Sequence, residues 1–285
     1  MPRRTSGRNE RQARRLPRQS KSIGSVRKKR LNRYGFGIIA FVAVALLCTG
    51  YLYFETVINK PTFDEVTMCP INLPPAEITT VLIDASDVLS PVQTASVRNE
   101  IDAYRSNLPT MGALEIYTVG QTEDTALEPL FHACNPGSPT ELTGLTESIS
   151  RATRKWREGV IETVEDALTR ALPSQEQKTS PILESIQSVA VTAFGPSDRK
   201  DIPKRLIIVS DMMQNSASFS SYKSVDYSQF KPIGGVKFMA DLRGVEVEIL
   251  YVRRHPKQGK KHIEFWQSYF SEQGARLTRV FSVSG

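Results

Sequence analysis

The chain has 285 residues, 40% of them hydrophobic, which is enough to bury one substantial core but too few for two large domains once a tail is set aside. Its formal net charge of +7 is unevenly placed. The first 34 residues hold 13 Lys and Arg against one acid, Glu10, while the rest hold 24 basic and 29 acidic side chains, a net of −5. The basic balance belongs to a tail and not to the folded part.

The tail, residues 1–34, is rich in Arg, Ser and Gln and poor in large apolar residues, so it is expected to be disordered: it cannot bury enough surface to offset its ordering entropy. Tyr34 to Phe54 follows without a single charge, long enough at about 1.5 Å per residue to cross a hydrocarbon layer of about 30 Å. Tyr34, Tyr51, Tyr53 and Phe54 sit near its ends, where aromatic rings favour the membrane interface. A membrane-crossing helix is therefore placed at 35–54. A buried core helix would show a polar face, and a cleaved signal would place its small-residue site after a short apolar region. Here the A-x-A of Ala43 to Ala45 lies mid-segment, and Leu47 before Cys48 is too bulky for a lipoprotein signal.

The Lys and Arg excess before the helix predicts a cytoplasmic N-terminus and a C-terminal part outside the cytoplasm. In a bacterium that means a single-pass protein of the inner (cell) membrane with its domain periplasmic or extracellular. The same topology, with attraction to anionic lipid of about 1 kcal/mol per basic residue, accounts for the tail without nucleic acid. Cysteine usage agrees. Cys48 falls in the apolar segment, leaving Cys69 and Cys134 as the one pair where oxidation is permitted, and a Cys69–Cys134 disulfide is predicted. Closing that loop stabilises by roughly 4 kcal/mol in the chain-entropy model. A zinc site at His132 and Cys134 lacks a second ligand pair of suitable spacing.

Residues 55–76 contain a proline-punctuated stretch, KPTFDEVTMCPINLPP, and read as an extended connector to a domain at 77–285. Residues 79 to 84 form a buried strand. A helix opened by Ser90-Pro91 carries Val97, Ile101, Tyr104 and Leu108 at helical spacing, Ala113 to Val119 is a second strand, and Leu127 to Phe131 a short third. Residues 144 to 172 are the longest helical pattern, with Ile149, Ala152, Trp156, Val160, Val164 and Leu168 on one face. A helix with Ser180 as cap and Pro181 at its first position runs to about Phe194. Strands at Arg205 to Ser210, Val245 to Val252 and Leu277 to Val283 flank a helix at Ile263 to Phe270 with Trp266 inward. Alternating strands and helices predict an α/β fold, a three-layer, doubly wound, mostly parallel sheet. Its ligands belong at the carboxyl ends of the strands.

Three segments should meet at that edge: Asp84, Ser86 and Asp87 after the first strand, Thr179 and Ser180 before a helix, and Asp211 after the strand RLIIVS. Carboxylates and hydroxyls are hard oxygen donors that suit Mg²⁺, Ca²⁺ or Mn²⁺. The arrangement resembles the von Willebrand factor A family, whose metal-ion-dependent adhesion site uses an Asp-x-Ser-x-Ser loop, a Thr from a second loop and an Asp from a third. Asp84 and Ser86 match the first two positions, while the third falls on Val88, which cannot ligate, so Asp87, Ser90 or water would take its place. The Thr corresponds to Thr179, or to Ser180 if the loop is shifted by one, and the last Asp to Asp211.

The resemblance implies an open ligand position that a partner's acidic side chain completes, and hence a protein-binding module and not an enzyme. Two alternatives stay open: a metal-free structural subunit of a membrane assembly such as a secretion or conjugation apparatus, and a metal-dependent hydrolase built on Asp84. Against catalysis, the chain has no G-x-S-x-G elbow, phosphate-cradling Gly-rich loop or H-E-x-x-H helix. Ser90 and Ser180 each also read as helix N-caps, and Asp87 as a complement to a helix dipole. The segment from Met212 to Asp241 is the first choice for an element that touches the partner.

Overall fold

The structure, a computed structural model, describes residues 24–54, 62–84, 86, 89–119, 127–137, 146–170 and 179–283. The chain divides into two units, Met1–Lys60 and Pro61–Gly285.

In the first unit one helix, α1 (Gly24–Tyr53), contains the stretch Gly35–Tyr53, apolar and long enough to cross a membrane. Its large side chains, such as Phe36, Phe41 and Leu47, are exposed, so it is not a helix buried in a core. Residues 24–34, expected as part of a disordered tail, are helical. Lys and Arg are good helix formers, and extending an existing helix adds a bond per residue without a new nucleus. Residues 1–23 lie outside the described residues.

The second unit is built on a six-stranded sheet of order β3-β2-β1-β4-β5-β6. Its strands are β1 (Ile78–Ile83), β2 (Ala113–Thr118), β3 (Phe131–Cys134), β4 (Lys204–Ser210), β5 (Val245–Val252) and β6 (Arg276–Val283). All neighbours are parallel except β2 and β3. The third strand lies beyond the predicted Leu127 to Phe131. Pro129 has no N–H to give a ladder, and pairing begins at Phe131 opposite Ile116.

Both faces of the sheet are covered, which explains why β1 and β4 read as continuous apolar runs. Leu82, Leu206 and Ile208 face one core with α4 (Ile182–Thr192), α5 (Tyr227–Gly234) and α6 (Lys260–Glu272). Val81, Ile83, Ile207 and Val209 face the other, with α2 (Pro91–Asn107) and α3 (Thr146–Arg170). Trp156, Val160 and Val164 make the buried stripe of α3. The side chains of Ile149, Ala152 and Leu168, expected on the same stripe, lie outside those described. On α6, Phe265, Trp266, Tyr269 and Phe270 are buried, and Phe230 of α5 packs edge-on against Phe265 and Tyr269.

Residues 62–76, within the stretch read as connector, fold against the sheet. Phe63 bridges Pro70, Cys134 N–H donates to the Thr67 carbonyl, and Cys69 is disulfide-bonded to Cys134 on β3. Next to this bond, Glu115 of β2 is buried, with Arg199 Nη1 at 2.8 Å, His132 Nδ1 at 3.1 Å and the Tyr117 hydroxyl at 3.0 Å. Burial alone would raise the Glu115 carboxyl; the hydrogen bond from His132 and the Arg199 charge outweigh it and hold it below its ordinary range.

Candidate functional site

Because β1 and β4 run parallel with Ile83 opposite Val209, the next residues, Asp84 and Ser210, emerge side by side at the carboxyl edge of the sheet. The ladder carries on for one more bond, Asp84 N–H to the Val209 carbonyl at 2.8 Å. Asp84 Oδ1 accepts from the Ser86 N–H at 3.0 Å, and Oδ2 accepts from the Ser210 hydroxyl at 2.8 Å and the Ser180 hydroxyl at 3.1 Å. A carboxylate thus draws hydroxyls from two other segments to one point. Charge-assisted bonds of this kind contribute about 1.5–3 kcal/mol each where water is excluded.

Asp211 follows β4 and is 8% exposed. Its Oδ1 accepts from Met213 N–H at 2.8 Å, and its carbonyl accepts from Gln258 Nε2 at 2.8 Å. Asp84, Ser86, Ser210, Asp211 and Arg254, with Leu89, Val209 and Val252, line a cavity of about 10 Å³, room for one water-sized species.

The Asp211 turn is held from the side of α6. Met212 takes the left-handed conformation, φ 60°, which is uncommon for a residue other than glycine, and it is fully buried. Its carbonyl accepts from His262 Nε2 at 3.0 Å and Trp266 Nε1 at 3.1 Å. A carbonyl can only accept, so His262 carries its proton on Nε2, and its bare Nδ1 accepts from the Tyr251 hydroxyl at 2.6 Å. Burial holds His262 neutral, its pKa pushed down to about 4.

The predicted site residues fare differently. Asp84, Ser86, Ser180 and Asp211 converge on this edge. Thr179 is exposed, and the hydroxyl delivered to Asp84 is that of Ser180. Ser180 is therefore not the cap of α4: Pro181 occupies that position, and Gln214 from the segment after β4 serves in its place, accepting Leu183 N–H at 2.8 Å and donating to Glu184 at 2.9 Å. Ser180 is instead bridged to Asn215 by a reciprocal backbone pair.

Ser90 is not brought to the cavity. It caps α2, accepting Gln93 N–H at 3.2 Å while the Gln93 side chain accepts the Ser90 N–H, a capping box. Asp87 and Val88 lie outside the described residues. Sequence reasoning missed Ser210, Arg254, Gln258 and His262. The adjacency of Ser210 to Asp211 at a strand end was the available signal for the first, and the Arg253-Arg254 pair directly after β5 for the second.

Two carboxylates with the hydroxyls of Ser86, Ser180 and Ser210 are a hard-oxygen set, and a hydroxyl that donates its proton to Asp84 keeps lone pairs for a cation. The residues therefore fit a divalent ion of the Mg²⁺, Ca²⁺ or Mn²⁺ type by donor chemistry. Arg254, on the same cavity wall, is the positive charge such an ion would compete with.

No family model matches the chain, and no curated protein does. Among solved structures, the chain is similar to an aerotolerance-related membrane protein from Bacteroides fragilis, at 9% identity and a TM-score of 0.37 over 73% of this chain and 91% of that one. It is similar to BatB from Bacteroides thetaiotaomicron, at 11% identity and a TM-score of 0.39 over 73% and 91%. A third is the SpRpn10 VWA domain, at 13% identity and a TM-score of 0.36 over 73% and 87%. A parallel sheet of order 3-2-1-4-5-6 with one antiparallel edge strand and helices on both faces is the three-layer, doubly wound α/β fold read from the sequence, and an acid ends its first strand as the resemblance to the von Willebrand factor A family implies.

Proposed function

We propose that the second unit is a protein-binding module tethered to a membrane by α1, and that it engages its partner at the carboxyl edge of the sheet. The observation that carries this reading is the meeting of Asp84, Ser180 and Ser210 at one carboxylate oxygen, with buried Asp211 beside them. Acids held at a strand edge by hydroxyls from separate segments are costly to bury unless something of opposite charge joins them. In this reading Asp84, Ser86, Ser180, Ser210 and Asp211 hold a divalent cation, which supplies a Lewis-acidic point for a partner's carboxylate. The Cys69–Cys134 disulfide and the basic residues before the apolar helix support a placement of the domain outside the cytoplasm.

A second reading rests on Arg254. Lining the same cavity, its guanidinium can itself neutralise Asp84 and Asp211, which would make the unit a metal-free structural subunit of a membrane assembly.

Calorimetric titration of the full chain in neutral detergent with Mg²⁺, Ca²⁺ and Mn²⁺ separates the two. Saturable binding that disappears in Asp84→Ala supports the cation site. Absence of binding, or binding unchanged in that variant, leaves the Arg254 reading. Photo-crosslinking from position 86 in cells tests partner engagement itself, and the absence of any discrete protein adduct would overturn it.

A further inference from the structure

After its tail the chain is net acidic, yet the run VRRHPKQGKKH at Val252 to His262 holds five Lys and Arg and no acid. It connects β5 to α6 at the same edge of the sheet as the candidate site. Arg253, Arg254, Lys257, Lys260 and Lys261 are all exposed. The run is braced from inside: Gln258 Oε1 accepts the His255 N–H at 2.5 Å, and its Nε2 donates to the carbonyls of Val252 and Asp211. The charges thus sit on a fixed loop tied to Asp211.

Beside this loop lies a cleft of about 470 Å³ lined by Lys223, Ser224, Val225, Asp226, Lys257, Gly259, Lys260 and Lys261. Its one acid is already engaged: Asp226 Oδ1 accepts from the Ser228 N–H and hydroxyl at 2.9 and 2.7 Å, as the cap of α5. Lys257 Nζ reaches only the backbone carbonyls of Tyr222 and Lys223, and Lys260 pairs with Glu264 at 3.6 Å on an open surface. No ion pair to Lys223, Lys257 or Lys261 is present among the described residues. Four like charges gathered round one cleft repel one another, and Asp226 beside Lys261 and Glu264 beside Lys260 offset them only in part, leaving a net positive cleft.

We infer that the cleft between Lys223 and Lys261 binds an acidic segment of a partner protein, its carboxylates meeting Lys223, Lys257, Lys260 and Lys261. The cations of the cleft are all Lys, compact point charges that attract carboxylate and phosphate alike, so charge selects an anionic partner and the test below separates the two. The cleft is shallow and open, with Val225 in its wall, and the Tyr222 ring, next in sequence to Lys223, stands edge-on to His255 at 5.2 Å. The patch also supplies the long-range attraction that steers an acidic partner toward the site edge. The choice of a protein as occupant rests on the protein-binding reading above; the charge of the cleft does not depend on a metal.

The test is hydrogen exchange of the full chain in neutral detergent with an oligoglutamate peptide, which locates binding by segment and so separates the cleft from the basic tail. The peptide should slow exchange in segments 222–226 and 257–263 at low salt and without added metal, in wild type and in Asp84→Ala alike. Replacing the four lysines by Gln should weaken this protection about thirtyfold, taking about half a kcal/mol for each exposed pair, with the thermal midpoint unchanged. Protection confined to residues 1–34, or equal in the four-Gln variant, overturns the inference. Protection of these segments by phosphatidylglycerol vesicles or single-stranded DNA but not by the peptide overturns it as well. Retention in Asp84→Ala together with absence of metal binding would remove the cation site and leave the cleft standing.

Discussion

His262 should make the protein lose stability in mild acid, by an amount that can be worked out. In the unfolded chain its pKa is the ordinary 6.5, and in the fold burial pushes it down to about 4. The unfolded state therefore binds the proton first, so the contribution of His262 is fully present above about pH 6.5 and is lost as pH falls through about 4. Between about pH 7 and pH 4.5 the loss is roughly 2 kcal/mol. The groups that face the ring are the Tyr251 hydroxyl on β5, the Met212 carbonyl, the Trp266 indole on its own helix, and His255, whose charge also disfavours protonation.

His262→Gln removes this titration while keeping a polar side chain on the same helix face. Urea titrations of wild type and variant across that pH range, followed by tryptophan fluorescence, give the two slopes. The carboxylates held below their ordinary range, Glu115 among them, lose stability at still lower pH in both proteins and cancel in the difference. Wild type should lose about 2 kcal/mol more than the variant. Equal slopes would falsify the assignment of His262 as a neutral, buried prop for the Asp211 turn.

Three other outcomes follow from the packing. Arg199→Met leaves the Glu115 carboxylate, its side chain 3% exposed, without its guanidinium partner and should cost about 3 kcal/mol in denaturant titration, part of which Glu115→Gln restores in the double variant; a cost near zero refutes the pairing. Replacing Cys69 and Cys134 together by Ser opens a loop with a sequence separation of 65 and should cost roughly 4 kcal/mol, read as a lower urea midpoint; an unchanged midpoint refutes it. Gly234→Ala would place a Cβ 2.2 Å from the buried ring of Phe230 and should cost about 1–3 kcal/mol by thermal unfolding, whereas a neutral result would show that the ring can shift.

The parts of the fold legible in the sequence were those carried by uninterrupted patterns. The runs ITTVLI and RLIIVS could only be strands covered on both faces, and each is followed directly by an acid, so the edge where Asp84 and Asp211 meet could be read from single segments. Ser210 carried only a hint, its place beside Asp211, because its role depends on the register of β1 against β4, a relation between residues 126 apart. Ser180-Pro181 shows the opposite failure. Locally it is a good cap, but Gln214, from a distant segment, caps the helix and frees the Ser180 hydroxyl for Asp84. The capping box of Ser90 and Gln93 was readable because both partners lie within one turn. The third strand was misplaced because its limits are set by pairing with β2 and by the bond at Cys134, neither of which marks the local sequence.

The covalent tie between Cys69 and Cys134 also fixes how the unit bears tension. A pull on the chain from its N-terminal side reaches Cys69 and passes through the sulfur bridge to Cys134, bypassing everything between them. The bypassed segment contains β1, α2 and β2, together with Asp84 and Ser86. A pull entering at Cys69 is therefore shared with β3 at the edge of the sheet and is not delivered to β1 through the intervening residues alone. For a module held at one end and engaged at the other, the binding edge can keep its shape under load for as long as the bridge stays oxidised.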